Sequence, residues 1–121
     1  MKKTPPNPST SDLLRGNTRT LVLSILKDGP AHGYGIATEL ELRSNQLLEF
    51  KQATLYPLLH NMEEEGLIAS EWEMIPGGRP KRIYTITEKG TKELKNLVEA
   101  FHQFSTTMYR IVGLNPLETG S

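Results

Sequence analysis

Residues 51–66, KQATLYPLLHNMEEEG, carry an apolar helical stripe behind a polar leading end. Leu55, Leu58, Leu59 and Met62 recur at i, i+3, i+4 and i+7, one face of a 3.6-residue period that needs a core to pack against. Gln52, Ala53, Tyr56 and His60 point elsewhere. Pro57 has no backbone N–H and is comfortable only in a first turn, which predicts a helix start near Ala53 or Thr54 with Thr54 as N-cap. Polar groups therefore gather at the N-terminal end, where free N–H groups and the positive end of the dipole favour anions, and where helix-turn-helix proteins touch bases and phosphates. An ordinary amphipathic helix with a solvated polar end explains the same pattern. Glu63, Glu64 and Glu65 at the other end are unfavourable toward their own dipole and would repel DNA, so a docking helix would dock by its N-terminal half.

Length and charge narrow the classes. A chain of 121 residues reads as one domain, small for an enzyme that must also build its own pocket, and a binding module is the better starting point. Lys plus Arg and Asp plus Glu both number 14, so any electrostatic attraction to nucleic acid must be local. The absence of cysteine removes disulfides and thiolate metal sites, and no apolar run is long enough for a signal peptide or membrane span. A soluble cytoplasmic protein with no membrane partner is the expectation. His32, His60 and His102 are scattered, and His60 and Glu64 share a helical face without a metal-spaced third group. No glycine-rich phosphate loop or serine elbow occurs either, so neither metal, cofactor nor catalytic residue is expected. RNA binding lacks an aromatic sheet platform.

Moving outward from the central helix, Leu48 and Phe50 alternate with Glu49 and Lys51, which suits a single short strand. Downstream, Ile68, Ser70, Trp72 and Met74 share one side of a strand whose other side holds Glu71 and Glu73, and RIYTIT at 82–87 is its partner. The loop between them, IPGGRPK at 75–81, has two glycines available for positive φ and a basic tip in which Arg79, Lys81 and Arg82 cluster. Upstream, Ile36, Ala37 and Leu40 mark a second helix, where Gly33 and Gly35 bracket Tyr34 and leave room for another backbone or a phosphate. Tyr34 itself suits half-buried packing equally well. The first helix runs from Asp12 through Leu14, Thr18, Leu21, Val22, Ile25 and Leu26 to the breakers Gly29-Pro30, with Leu13 and Leu23 widening its apolar face toward a second side that hints at a partner subunit. Residues 1–11, with Lys2 and Lys3, read as a disordered arm. The last helix opens at Thr87-Glu88 and reaches about Val112. Its Leu94, Leu97, Phe101, Phe104, Met108 and Ile111 are spaced 3, 4, 3, 4 and 3, an a/d seam that favours helix-to-helix pairing over folding back on the domain. Gly113 ends it, and residues 114–121 read as a flexible tail.

The fold class that follows is mainly α with a small β-hairpin: a winged helix-turn-helix DNA-binding domain over 12–87, then a C-terminal dimerisation helix over 88–113. At this point the sequence resembles the PadR-like transcriptional regulators of the short type with one C-terminal helix. The resemblance spans about 14–112 and rests on His32-Gly33-Tyr34 with Ile36, Thr54-Leu55-Tyr56-Pro57 with Leu58 and Leu59, Met62-Glu63, Glu65-Gly66-Leu67-Ile68, Trp72, Gly78-Arg79-Pro80-Lys81, Tyr84, Thr87 and Gly90. Each piece is weak alone, and the combination is specific. One departure is Gly35, where the motif is often acidic.

The resemblance implies a homodimeric repressor that binds a palindromic operator in double-stranded DNA, with some relatives sensing phenolic acids or hydrophobic drugs. Carried onto this sequence, Thr54 and Tyr56 match the DNA-facing segment, Tyr34 the second-helix motif, and Arg79 and Lys81 the wing. Lys51 and Gln52 precede the motif and are candidates for sequence choice, and His60 completes the DNA-binding set. Dimerisation falls to Leu94, Leu97, Phe101, Phe104, Met108 and Ile111. Trp72, Phe101 and Met108, with Phe104 and Tyr109, could line a pocket for a small hydrophobic ligand, although core packing explains the same residues. The alternative function is a winged-helix protein-interaction module that uses its acidic helix end.

Overall fold

A computed structural model describes residue 14 and residues 16–115. The expected arm, Asp12, Leu13 and all but the start of the expected tail lie outside the described residues. The elements run α1 (Thr18–Lys27), β1 (Ala31–His32), α2 (Gly33–Arg43), α3 (Gln52–Glu64), β2 (Ile68–Glu73), β3 (Lys81–Ile86) and α4 (Glu88–Val112). The strands form one antiparallel sheet in the order β1-β3-β2.

Four apolar faces meet in the core: Val22, Leu23, Ile25 and Leu26 of α1, Ile36, Ala37 and Leu40 of α2, Leu55, Leu59 and Met62 of α3, and Leu94 of α4. Phe50, Leu67, Ile68 and Tyr84 close its edges. Burying a Leu or Met completely is worth about 2 kcal/mol, so the fully buried Leu59 and Met62 fix α3 more firmly than any polar contact it makes. Leu58, expected in the same stripe, is only half-buried at its margin. The two apolar sides of α1 are covered from within the chain by α2, β3 and α4.

Three expectations need correction. The short strand is Ala31–His32, paired with Tyr84 and Ile83 of β3, and the segment from Leu48 to Lys51 has no strand pairing. Its alternation does place Phe50 in the core and Glu49 and Lys51 in solvent, but the open edge of β3 lies beside Ala31. Helix α3 begins at Gln52, with Lys51 as N-cap, so Thr54 is not the cap and Pro57 lies inside the helix. The proline is tolerated because Ala53, whose carbonyl loses its i+4 donor, and Pro57 are both exposed, leaving that carbonyl to water. Finally, the run expected from Asp12 is interrupted at Gly16, whose φ of 88° no helix accommodates, and α1 starts at Thr18.

The hairpin and last helix match their pattern closely. Ile68 to Glu73 pair with Ile86 to Lys81, and Gly77 supplies a φ of 74° in the connecting turn. Thr87 caps α4, its hydroxyl accepting from Gly90 N at 3.0 Å.

Candidate nucleic-acid interface

The leading end of α3 is open. Lys51 is extended, with φ −84° and ψ 139°, and no side chain caps the helix. Among the described residues, the amides of Gln52 and Ala53 take no backbone partner, while those of Thr54 and Leu55 both donate to Lys51 O at 3.0 Å. These free donors and the dipole make this end attractive to an anion. Lys51, Gln52, Thr54, Tyr56 and His60 are all exposed around it, opposite the buried Leu55 and Leu59.

A groove of about 740 Å³ runs from this end to the wing. Its walls are Gly33 and Tyr34 at the start of α2, Gln52 and Tyr56 of α3, and Trp72, Lys81 and Arg82 of the hairpin. Gly33 is required by its neighbour, because a Cβ there would lie 2.9 Å from Cε1 of Tyr56. The room expected for a backbone or a phosphate is thus filled by the Tyr56 ring, and beside Gly35 nothing approaches within 4 Å. Across the hairpin, Arg82 stacks on Trp72 at 4.8 Å from the ring centroid, in the same cross-strand pair. His32 Nε2 and Glu73 Oε1 are 2.9 Å apart and tie the short strand to the hairpin. Tyr84 lies at the base, where burial pushes its phenol up.

The acidic end of α3 is occupied. Ser70 Oγ donates to both Glu63 carboxylate oxygens, at 2.9 and 2.7 Å. Arg19 of α1 grips the Glu65 carboxylate with both nitrogens, Nη2 donating to Oε2 at 2.7 Å, and this pairing holds Glu65 below the usual carboxylate range while raising Arg19. Lys89 Nζ donates to the Glu65 carbonyl at 2.7 Å, supplying the cation a helix C-terminus favours. Glu64 sits 3.4 Å from His60.

The family described as Transcriptional regulator PadR-like family matches residues 22–96, more than half of the chain. The chain belongs to the PadR-like family. It is therefore a member of a family of transcriptional regulators, not of enzymes. Among its relatives, a transcriptional regulator of Mycobacterium tuberculosis is 32% identical over 80 residues, 66% of this chain and 71% of that one. A PadR family transcriptional regulator from Eggerthella lenta superposes with a TM-score of 0.75 at 31% identity, covering 87% of this chain and 89% of that one. Bacillus subtilis PadR in complex with operator DNA gives a TM-score of 0.62 at 26% identity, over 67% of this chain and 46% of that one.

In this PadR-like chain Tyr34, Gln52, Tyr56 and Lys81 line one groove, and Lys51, Thr54 and His60 are exposed on the helix beside it. Arg79 is exposed in the hairpin loop. Trp72 belongs to the same groove, and neither Phe101 nor Met108 lines it. Along α4, Leu94 is buried and Leu97 partly buried, while Phe101, Phe104, Met108 and Ile111 are 52%, 62%, 47% and 76% exposed. Gly33 and Arg82 also belong to the groove of this PadR-like protein. Arg82 was visible in the sequence as part of the basic cluster, whereas the Gly33 contact joins two helices and leaves no local trace. Among the described residues no His, Asp and Glu cluster could hold a metal, and no helix is long and apolar enough to cross a membrane.

Proposed function

We propose that this chain is a cytoplasmic homodimeric repressor that binds a palindromic operator, one α3 entering each of two major-groove half-sites about one helical turn or a multiple apart. The observation that carries this reading is the continuous exposed surface from the open end of α3 across the groove to the wing, with the acidic end of the same helix engaged elsewhere. Gln52 reads base edges and Lys51 a guanine or a phosphate. Tyr34, Thr54, Tyr56, His60, Arg79 and Lys81 grip the backbone and set the register without carrying sequence information. The operator complex of the Bacillus subtilis relative supports the DNA partner. The exposed half of the α4 seam supports the second copy, because Phe101, Phe104, Met108 and Ile111 form an apolar stripe at a/d spacing.

A small hydrophobic or phenolic ligand, held by Phe101 and Met108 where two copies meet, would release the operator by binding better to a dimer with mis-spaced recognition helices, whereas Trp72, expected in the same pocket, lies in the groove beside Arg82 instead. Protein interaction through the acidic helix end is the weaker reading, because Glu63 and Glu65 already have partners within the chain. Selection of bound duplexes from a random pool at low and physiological salt, with the mass in solution recorded, tests the reading. Enrichment of an inverted repeat by a dimer is the expected result. Binding without sequence preference that vanishes at modest salt would overturn it.

A further inference from the structure

The recognition helix is held unevenly. Its first two turns make, among the described residues, no side-chain hydrogen bond or ion pair to another element, and their tertiary fastening is packing by Leu55, Leu58, Leu59 and the Tyr56 ring on Gly33. Packing of this kind supplies most of the holding energy but is non-directional, so it defines the rotation of a helix about its own axis less sharply than a hydrogen bond does. The last turn and the residues after it are fastened by directional bonds from two other helices and, through Ser70 on Glu63, from β2. Arg19 of α1 forms a fork on Glu65, and Lys89 of α4 donates to the Glu65 carbonyl. Thr87 Oγ1 donates to Gly66 O at 2.6 Å and to Leu67 O at 3.0 Å, and Thr87 N donates to Leu67 O at 3.1 Å. Gly90 seats the first turn of α4 so closely that a Cβ there would be 2.0 Å from the Leu67 carbonyl oxygen.

We infer that Arg19, Glu65 and Lys89 are positioning residues for DNA recognition: they clamp the rear of α3 to α1 and α4, and so set the separation of half-sites that the protein accepts without touching DNA. This deepens the DNA-binding reading and rests on it. A bidentate guanidinium–carboxylate pair has the directionality the role needs, which a lysine in place of Arg19 would lack. The clamp also gives a change in α4 a direct route to the reading head, because the Lys89, Thr87 and Gly90 contacts belong to the first turn of that helix.

The chain contains no cysteine, so Ala53→Cys and Gln103→Cys introduce the only spin-label sites, one on the exposed face of α3 and one on α4. Labelled chains diluted with unlabelled ones report the distance within one chain. Arg19→Glu, Glu65→Arg and Lys89→Met should each shift or broaden that distance. They should also change the ratio of affinities for duplexes whose half-sites differ in separation by one base pair about fivefold. The exchanged pair Arg19→Glu with Glu65→Arg should restore both readouts, and Arg19→Lys, which keeps the charge and folds without a reversed pair, should restore neither fully. Unchanged distances, or affinities lowered in equal proportion for every separation, would overturn the clamp, since simple loss of folded protein gives the second pattern. If the unaltered chain binds no duplex, the DNA-binding reading falls with its spacing role, while the distances still decide whether the rear of α3 is held by these residues.

Discussion

A Cβ on Gly33 would meet the end of the Tyr56 ring, whereas a Cβ on Gly90 would meet the Leu67 carbonyl, and the two glycines therefore predict opposite consequences of the same substitution. A tyrosine ring can swing aside into solvent. Gly33→Ala should leave the thermal midpoint nearly unchanged while lowering operator affinity about tenfold, equivalent to about 1.4 kcal/mol, as a binding titration would show. A backbone carbonyl cannot move without the chain that joins α3 to β2, so Gly90→Ala should destabilise the fold by about 3 kcal/mol, measured by denaturant unfolding. Glu65 makes a prediction in pH. Its folded carboxyl lies below its ordinary value because Arg19 donates to it, so its contribution is present above the unfolded glutamate pKa and is lost as pH falls through the depressed folded value. Glu65→Gln should flatten the acid limb of the unfolding midpoint plotted against pH and leave the neutral side of the profile parallel to that of the unaltered chain.

At the scale of elements, the wing is the part whose contact with DNA is easiest to isolate. Arg79 is exposed in the loop between β2 and β3, away from the buried base of the hairpin. Arg79→Ala should flatten the slope of log affinity against log salt by about 0.9, the value for one lost phosphate, without changing which sequence is preferred. An unchanged slope would remove the wing from the interface. The elements visible in the sequence were those with enough length to show a period: α3 from its leucine stripe, the hairpin from its alternation and glycine turn, α4 from its heptad spacing. Strand β1 has two residues and no period, and only the open edge of β3 makes Ala31 and His32 a strand. Thr54 and Pro57 carried sound local signals for a helix start, which lost to the burial of Phe50 and the extended Lys51 just before the helix. For the site, the exposed face of α3 was legible residue by residue. The grip of Arg19 on Glu65 spans 46 positions and has no local signature.

For the molecule as a whole, the core is closed by residues of one chain, whereas the second half of α4 leaves an apolar face exposed. Leu94 and Leu97 pack against the core, and beyond them Phe101, Phe104, Met108 and Ile111 present their faces to solvent. Phe101→Asp should convert a dimer to a monomer in light scattering and weaken operator binding by at least about 100-fold through loss of the second half-site, with the domain still folded. An unaltered mass would remove the seam from the interface. The same division of α4 sets a pattern in time. Amides in its first turns should exchange with deuterium only as the domain opens, at a rate indifferent to protein concentration. Amides from Phe101 onward should exchange faster on dilution, so that a single helix records folding in one half and assembly in the other.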